Sequence, residues 1–457
     1  MSENELAAAS RDELIAYLRQ LEMVNAQLVA VNEQQKTLIA ALQARLSALE
    51  QKLAGRSGPG MPGNKPARTK PVTPAKPRKQ RERGFGRPRL PPTETVEHVM
   101  EACPDCGITL VGGWVQATRE VLEVPIVPVR VIEHQYWARI CPTCEKRQLP
   151  KVELAGIILD EQQRVGIGLM SLIATLREEG RLPFGTIQWY LQTVHQLHLS
   201  VGELVRVVQQ AAARGQTALR QIQEAVRASP VVHGDETGWR EKGQNGYVWT
   251  FRTPTQSYFV RGGRNKEMVD AALGATFAGV LVCDFYASYD HYPGLKQRCW
   301  AHLLRDIHDL REIYPTDALL GEWATTVHTL YEEAKVFSDP DEAKRLARQR
   351  ELEERLLTLC RPFLADSLAV QAKLCRRIER YLPDLFVFVA NPLVPSTNNA
   401  AERSLRHLVT SRKISGGTQS PAGTRAKMTL ASLFATWRLQ GLNPLLACQQ
   451  LLQSPTQ

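Results

Sequence analysis

The 457-residue sequence has no run of eighteen apolar residues, the approximate length that a membrane-spanning helix requires. Its first residues are polar and acidic, and they lack the apolar segment of a secretory signal peptide. Both features exclude membrane and secreted classes, so we expect a cytoplasmic protein with no membrane partner. The length and the 43% hydrophobic content allow several folded domains.

The sequence also lacks the even cysteine count of a fully paired disulfide framework. Of its nine cysteines, four form two Cys-x-x-Cys pairs: Cys103, Cys106, Cys141 and Cys144. Four thiolates suit a tetrahedral Zn²⁺ with no open coordination position, so we expect a structural zinc site. Iron binding and chance pairing are the alternatives. β-type runs at Glu120–Val124 and Arg130–Ile140 predict the hairpin of a zinc ribbon over residues 93–155.

Positive charge is concentrated in one segment. The chain carries a net charge of +10, and Gly55–Leu90 contains eleven Lys or Arg and one acid, so this segment alone accounts for it. A basic, Pro- and Gly-rich composition predicts a disordered linker over residues 55–92 whose ligand is double-stranded DNA. Gly86–Arg89 resembles a minor-groove hook, although a generic basic tail is the simpler interpretation. The candidate DNA-binding residues are Arg78, Lys79, Arg81, Arg83, Arg87 and Arg89.

Leucines recur at heptad spacing from Leu14 to Leu53, and Asn25 and Asn32 occupy one seam of the pattern. Buried asparagines at a seam fix register and favour two strands. We therefore predict a coiled coil over residues 1–54 that makes the protein a homo-oligomer. A single amphipathic helix that packs on its own chain is the alternative.

The periodicity is helical from Asp160 to Ala228. It predicts a helix that ends near Gly180, a second over Pro183–Leu197, and a third that begins at Val201 after an N-cap at Ser200. This order is that of a helix-turn-helix unit, so residues 156–229 are a candidate DNA-binding region. A purely structural three-helix spacer remains open.

Three acids lie in positions that the sequence pattern predicts to be buried. Asp235 interrupts the β-like stretch Val231–Arg240, and Asp284 directly follows the apolar run Val280–Val282. Glu402 lies in a helix for which Ser396–Asn399 offer N-caps. A carboxylate in an apolar setting costs several kcal/mol unless a metal, a cation or hydrogen bonds hold it. The three acids therefore predict one metal site.

The order of elements around the acids predicts the fold class. Strands at Val231–Thr237, Tyr247–Arg252 and Ser257–Arg261 precede a helix at Lys266–Phe277 and a strand at Val280–Asp284. This is the order of a ribonuclease-H-like core, a mixed β-sheet with helices in a multidomain α+β protein. We divide the core into residues 230–302 and 393–415, separated by an all-helical insertion over 303–392 and followed by a helical tail over 416–457.

Three carboxylates can hold two Mg²⁺ or Mn²⁺ ions about 4 Å apart, a pair that activates an attacking oxygen and stabilises a leaving oxygen of a phosphodiester. Magnesium prefers oxygen ligands and phosphate substrates. Together with the basic linker, this chemistry indicates that the substrate is DNA.

The motifs H-G-D-E-T-G-W-R, C-D-F-Y-A-S-Y and N-N-A-A-E-R-S-L-R, in this order, resemble the DDE transposases of the insertion-sequence-66 family of bacterial mobile elements. The resemblance implies that Asp235, Asp284 and Glu402 are the catalytic, metal-binding triad. It implies that water first frees a 3′-OH at each element end, and that this 3′-OH then attacks target DNA without a covalent protein intermediate. It also implies a nucleoid-associated bacterial protein with possible accessory proteins from the same element.

Other polar residues lie near the acids in the sequence. Glu236 points to the opposite face of the strand from Asp235, so we treat it as structural. His233 is a supporting residue whose imidazole is more simply structural than catalytic. We expect Arg406 to pair with Glu402 or with a phosphate.

Cys299 and His302 form a Cys-x-x-His pattern without a second half-site. The pattern resembles a signature between the second and third acids of some DDE transposases, where it supports the active site or contacts DNA. Trp300 is more simply a core residue than a base-stacking one.

Two rival functions remain at this point. A structure-specific nuclease with the same core would cut DNA without joining strands. A DNA-binding regulator or inactive remnant would bind DNA and do neither.

Overall fold

A computed structural model of the protein describes residues 10–54, 91–122, 124, 127–150, 164–366 and 368–454. The predicted basic linker lies outside the described residues except for positions 91–92. Its six candidate DNA-binding residues lie outside them too: Arg78, Lys79, Arg81, Arg83, Arg87 and Arg89. None of the helices within the described ranges combines the length and hydropathy that a membrane crossing requires.

The protein is a mixed α+β structure. The α-helices of the described residues are, in chain order, α1 (Arg11–Ala54), α2 (Ile167–Glu178), α3 (Phe184–His195), α4 (Val201–Arg214), α5 (Gln216–Arg227), α6 (Glu267–Leu273), α7 (Trp300–Ile313), α8 (Ala318–Val336), α9 (Glu342–Leu364), α10 (Ala372–Tyr381), α11 (Val387–Ala390), α12 (Asn399–Ser415), α13 (Pro421–Leu439) and α14 (Pro444–Gln453). The β-strands are β1 (Arg139–Ile140), β2 (Arg147–Gln148), β3 (Val231–Glu241), β4 (Gln244–Arg252), β5 (Ser257–Gly262), β6 (Val280–Cys283) and β7 (Lys296–Arg298).

The central sheet has five strands in the order β5-β4-β3-β6-β7. Strands β3, β4 and β5 pair antiparallel, as predicted, whereas β6 and β7 extend the sheet in parallel from β3. Lys242 and Gly243 connect β3 to β4 and both have positive φ, which is the conformation of a two-residue type I′ turn. Strand β7 was not predicted.

Helix α13 lies in the core of the fold. Its small and apolar residues are buried on several sides, and it contributes to two apolar clusters. One cluster includes Leu204 and Val207 of α4, and the other includes Leu405 of α12. A helix that is apolar around most of its circumference is stable only when it is enclosed. The segment predicted as a C-terminal tail is therefore part of the central packing.

The helical region before the sheet has the predicted helices. Ser200 caps α4 by accepting a hydrogen bond from the main-chain N–H of Glu203 at 3.1 Å. Helix α3 ends two residues earlier than predicted, because Gln196 adopts a left-handed conformation with φ of +54°. Leu204, Val207 and Ala211 bury one face of α4.

The residues between the second and third acids form a helical block with its own apolar core. Trp300, Trp323 and Phe386 belong to this cluster, which is separate from the cluster beneath the sheet. Trp300 is fully buried and donates a hydrogen bond from Nε1 to the carbonyl oxygen of Leu385. The prediction that Trp300 is a core residue is confirmed.

The described residues of Glu120–Val124 and Arg130–Ile140 do not form the predicted hairpin of the zinc ribbon, although Arg139 and Ile140 lie in a strand. Among the described residues of 91–150, the paired strands are β1 and β2, which the turn at Cys141–Cys144 connects, and an isolated bridge joins Ala102 to Thr109. Alternating sequences form strands when one face is buried. Here the side chains of Val121 and Val131 are 77% and 89% exposed, so no buried face holds the two runs together.

Candidate active site

Asp235 and Asp284 lie beside each other on neighbouring strands. In the parallel ladder between β3 and β6, His233 is opposite Val282. Asp235 and Asp284 each follow two residues later, so both lie where β6 ends. Asp235 is within β3, whereas Asp284 is the first residue after β6.

Glu402 reaches this edge from α12. It lies in the first turn of the helix, and Arg252 on β4 donates a hydrogen bond to the carbonyl oxygen of Ala400 at 2.8 Å. Further along α12, Leu405 packs in a cluster with Trp239 of β3. Because alternate strand residues share a face, Asp235 is on the same face as Trp239 and therefore faces α12.

The electrostatic setting of Asp235 opposes ionisation. Burial raises its pKa, and the negative charges of Glu236, Asp284 and Glu402 raise it further, to about 8. One hydrogen bond from the main-chain N–H of Glu236 to Oδ1 at 2.9 Å acts in the opposite direction. A carboxylate in such a site ionises readily only when a positive charge joins it.

The carboxylates retain oxygen atoms for a ligand. Oδ1 of Asp284 accepts the main-chain N–H of Tyr286 at 2.9 Å, much as Oδ1 of Asp235 accepts that of Glu236. Each aspartate therefore keeps its second oxygen. Oε1 of Glu402 is buried without a hydrogen-bond partner. These hard oxygen donors fit Mg²⁺ or Mn²⁺.

The ligand oxygens of Asp235, Asp284 and Glu402 do not all lie within 4.8 Å of one another. Among the described residues, the group of three ligating side chains within 4.8 Å of one another is His308, Asp309 and Glu312, on an exposed part of α7. Two ions about 4 Å apart, each about 2 Å from its ligands, accommodate carboxylate oxygens up to about 8 Å apart. A pair of ions can therefore be held by carboxylates that are farther apart than the ligands of one ion.

The Cys-x-x-His pattern lies directly against the third acid. Nε2 of His302 is 3.7 Å from Oε1 of Glu402. The thiol of Cys299 is fully buried and accepts the main-chain N–H of Asn398 at 3.1 Å. Arg406, expected to pair with Glu402 or a phosphate, is solvent-exposed because it lies off the buried face of α12. The imidazole of His302 takes the position beside Glu402.

His233 is part of a buried polar contact. Its Nδ1 is 3.0 Å from Oδ1 of Asn398. Burial lowers the pKa of His233 to about 4, with further lowering from the charges of Arg252 and Arg403. The ring is therefore neutral at pH 7 and donates from Nδ1, because an amide oxygen can only accept. This geometry supports the structural interpretation of His233.

Asn398 is the residue of this site that sequence reasoning missed. It occupies the N-cap position of α12, as the sequence predicts, but its side chain makes no capping hydrogen bond. The side chain instead contacts β3, where Nδ2 donates to the carbonyl oxygen of Gly234 at 2.7 Å. The sequence signal was an Asn-Asn pair before a helix, which does not reveal a partner some 165 residues away.

Glu236 lies on the opposite face of β3 from Asp235. Its side chain is 3% exposed, and it accepts hydrogen bonds from Arg264 at 2.9 Å and from the hydroxyl of Tyr289 at 3.0 Å. Burial and the charge of Asp284 raise its pKa. Glu236 thus adds negative charge behind the site while its own oxygens are occupied.

The two cysteine pairs form separate turns. Backbone N–H groups of Asp105 and Cys106 lower the pKa of Cys103, and those of Cys144 and Thr143 lower the pKa of Cys141. Such turns favour thiolates. Within the described part of the chain, however, the four thiols are not gathered within 4.8 Å of one another.

Comparisons with known proteins relate the chain to mobile-element proteins. Residues 162–426 match the family model described as "Transposase IS66 family". Two proteins of Sinorhizobium fredii (strain NBRC 101917 / NGR234) are similar to parts of the chain. Protein y4jO is 41% identical over 71 residues, which are 16% of this chain and 22% of y4jO. Protein y4qI is 26% identical over 220 residues, which are 42% of this chain and 38% of y4qI. The chain thus spans less than two fifths of either relative.

Proposed function

Because the chain belongs to the IS66 family of transposases, we propose that it is a DDE-type DNA transposase. In this proposal it cleaves the ends of a mobile element and joins the resulting 3′-OH ends to target DNA. The observation that carries the proposal is the meeting of Asp235, Asp284 and Glu402 at the ends of β3 and β6 and the start of α12.

The order of elements supports a ribonuclease-H-like core. Three antiparallel strands are followed by a helix and by a parallel strand that ends in an acid. The helical block from α7 to α11 then separates the second acid from the third. This arrangement agrees with the core and the helical insertion that the sequence predicts.

The three acids would hold two Mg²⁺ or Mn²⁺ ions. Bound there, the ions would supply activation of the attacking oxygen and stabilisation of the leaving oxygen. Asp235 is the residue most dependent on them, since its neighbours raise its pKa to about 8. His302, 3.7 Å from Glu402, would orient that carboxylate.

The reaction has two balanced steps. In the first, water attacks a phosphorus atom at the element end, a new P–O bond forms, and the bond to the 3′ oxygen breaks to release a 3′-OH. In the second, this 3′-OH attacks a phosphorus atom of target DNA and displaces another 3′ oxygen. Each step replaces one phosphodiester bond and needs no redox partner.

Segments outside the three acids are proposed to bind DNA, to bind a structural zinc ion and to form the oligomer. We propose that the basic linker binds double-stranded DNA, that the four cysteines of the Cys-x-x-Cys pairs hold a structural Zn²⁺, and that α1 forms the coiled coil of a homo-oligomer. The succession of α2, α3 and α4 supports a helix-turn-helix role, whereas the burial of α4 supports the structural alternative. A bacterial cytoplasmic location at the nucleoid and accessory proteins from the same element complete the proposal.

The test is a cleavage and joining assay on linear DNA that carries the terminal repeats of the element. We expect Asp235→Asn and Glu402→Gln to lower Mg²⁺-dependent nicking at least about 1000-fold, because each removes a ligand on which the chemistry depends. Glu224→Gln changes an exposed carboxylate of α5 and is expected to retain the wild-type rate.

Normal nicking by either triad variant would refute the assignment of the catalytic acids. Nicking without strand joining in the wild type would instead indicate a structure-specific nuclease. Binding of the ends without nicking in any divalent metal would indicate a regulator.

A further inference from the structure

Asn398 is fully buried, and each of its four polar groups makes a hydrogen bond. Its side-chain oxygen accepts from His233, its side-chain nitrogen donates to Gly234, and its main-chain N–H donates to Cys299. Its carbonyl oxygen accepts the main-chain N–H of Glu402 at 3.3 Å. A buried amide with this many partners holds its neighbours in a single arrangement.

Each contact leads to a segment that carries an acid. Gly234 directly precedes Asp235, so the bond to its carbonyl oxygen fixes the main chain of β3 beside the first acid. The main-chain N–H of Glu402 donates to the carbonyl oxygen of Asn398, which is the first helical hydrogen bond of α12. Asn398 therefore holds the third acid one helical turn after the N-cap.

The contact with Cys299 leads to the second acid. The main-chain N–H of Cys299 donates to the carbonyl oxygen of Cys283 at 2.8 Å, and Cys283 directly precedes Asp284. Beside this contact, the main-chain N–H of Trp300 donates to the carbonyl oxygen of Ser396 at 3.0 Å, which brings the approach to α12 against the start of α7. Asn398 therefore bonds directly to the segments of Asp235 and Glu402, and through Cys299 to the segment of Asp284.

We propose that Asn398 is a positioning residue that sets the spacing of Asp235, Asp284 and Glu402 and thereby the affinity of the site for divalent cations. The inference rests on the proposed metal-binding function of these three acids. It assigns to the Cys-x-x-His pattern a second role, in which Cys299 supplies the acceptor that joins Asn398 to the strand of Asp284.

The chemistry of this position requires an asparagine. The group that faces the Nδ1–H of His233 has to accept, and the group that faces the carbonyl oxygen of Gly234 has to donate. A primary amide provides both functions without a charge. An aspartate would place a second acceptor against Gly234 and add a charge to an acidic site, and a leucine would keep the shape but provide neither bond.

The experiment measures Mn²⁺ binding to the full chain by electron paramagnetic resonance at 20 °C, with folding checked by circular dichroism. Asn398→Leu is compared with Asn399→Leu, which changes the neighbouring, exposed asparagine. We expect Asn398→Leu to bind Mn²⁺ about 10- to 100-fold more weakly, the usual cost of losing a group that orients metal ligands. Asn399→Leu is expected to bind as the wild type does.

A second readout separates positioning from stability. At saturating DNA and Mn²⁺, kcat of Asn398→Leu for nicking is expected to fall about 100-fold, because a displacement of the acids by about 1 Å has that effect. The KM for DNA is expected to stay within about twofold of the wild-type value. Unchanged Mn²⁺ affinity in folded Asn398→Leu would overturn the inference, whatever its unfolding temperature.

If Asn398→Leu does not fold, Cys299→Ala provides the same test, since it removes one acceptor and leaves the side chain of Asn398 in place. We expect its Mn²⁺ affinity to fall about tenfold, and an unchanged affinity would refute the proposal. A wild type that binds Mn²⁺ through Asp235 but nicks no DNA would contradict the proposed function alone. A wild type that binds no Mn²⁺ would contradict both.

Discussion

The ionised form of Asp235 is unfavourable in the folded, metal-free protein. Its carboxyl group is buried, and three other carboxylates raise its pKa to about 8. At neutral pH the folded protein therefore keeps a proton that the unfolded chain, with an ordinary aspartate pKa near 4, has already lost. In the proposed metal site, a divalent cation would replace that proton and relieve the repulsion.

This pKa predicts how the stability of the metal-free protein depends on pH. A carboxyl group whose pKa is raised by folding contributes no penalty while it is protonated in both states, below about pH 4. Between about pH 4 and pH 8 the folded state binds more protons than the unfolded state, so the free energy of unfolding falls as the pH rises. We expect the unfolding temperature of the wild type, measured in EDTA, to fall from pH 5 to pH 8.

Asp235→Asn is the matched control, because an amide has no proton to lose in this range. Its unfolding temperature should depend less on pH, and Mg²⁺ at pH 8 should stabilise the wild type more than the variant. Parallel pH profiles for the two proteins would show that Asp235 does not titrate as described.

Single residues also show the limit of inference from sequence. Asp235 and Asp284 could be selected because each is a charge in or beside an apolar run, and Glu402 because its motif resembles that of the family. Asn398 could not, because an asparagine before a helix is explained locally as a cap. Its actual partners are distant in the sequence, and only the assembled fold shows that they share one side chain.

Gly416 and Gly417 connect α12 to the far end of β3. Gly416 ends the helix in the left-handed region with φ of +70°, and Gly417 continues with φ of +119°. Thr418 then exchanges main-chain hydrogen bonds with Arg240 and Lys242 at 2.9 and 2.8 Å. A Cβ atom on Gly417 would overlap the carbonyl oxygen of Arg240, whereas one on Gly416 would meet open space.

The two glycines thus provide a matched pair of substitutions. Gly416→Ala should lower the free energy of unfolding by about 1 kcal/mol, the cost of a left-handed alanine. Gly417→Ala should cost about 3 kcal/mol, because backbone strain adds to the displacement of β3. Urea denaturation measures both values, and equal losses would contradict the close approach to Arg240.

Lys427 of α13 and Glu178 of α2 form an ion pair inside the protein. Nζ of Lys427 is 2.8 Å from Oε2 of Glu178, and the two side chains are 5% and 0% exposed. Burial lowers the pKa of Lys427, and Oε1 of Glu178 has no hydrogen-bond partner. Such a pair costs desolvation energy that its attraction only partly offsets.

We therefore expect Lys427→Met alone to destabilise the protein by about 3–5 kcal/mol, because it leaves the charge of Glu178 buried and unpaired. The double variant Glu178→Leu with Lys427→Met should recover most of this loss. A double-mutant cycle in urea measures the coupling, and additive losses would show that the two charges do not depend on each other.

A helix or strand can be predicted from the sequence when the residues that fix its ends are its own, and not when its stabilising contacts are distant in the sequence. A local signal located the start of α4, because Ser200 occupies the predicted N-cap position. Strand β7 has three polar residues and therefore no local strand signal. The partners of its buried Arg298 include Asp384, which is 86 residues away in the sequence.

Helix α1 exposes the apolar seam that the heptads predict. Leu18 is 60% exposed, and Leu28 and Ile39 are 59% and 54% exposed. A 44-residue helix with such a seam is stable in water chiefly when a partner covers the seam. These values support the proposal that α1 binds a second copy of α1.

Light scattering after size exclusion tests this proposal on the intact chain. We expect a species with twice the 51.2 kDa mass of the chain, and a monomer after residues 1–54 are deleted. Leu21→Lys with Leu28→Lys should also give a monomer, because two charges at one seam oppose pairing. A dimer that survives both changes would place the interface elsewhere.

The helical block between the second and third acids also determines when the site is completed during synthesis. About 170 residues separate Asp235 from Glu402 in the sequence, and ribosomes add roughly 5–20 residues per second. The first acid therefore emerges about 10–30 s before the third. A nascent chain that already contains Asp235 lacks Glu402 and Asn398 for this interval, so the proposed metal site is assembled only after the helical block has been synthesised.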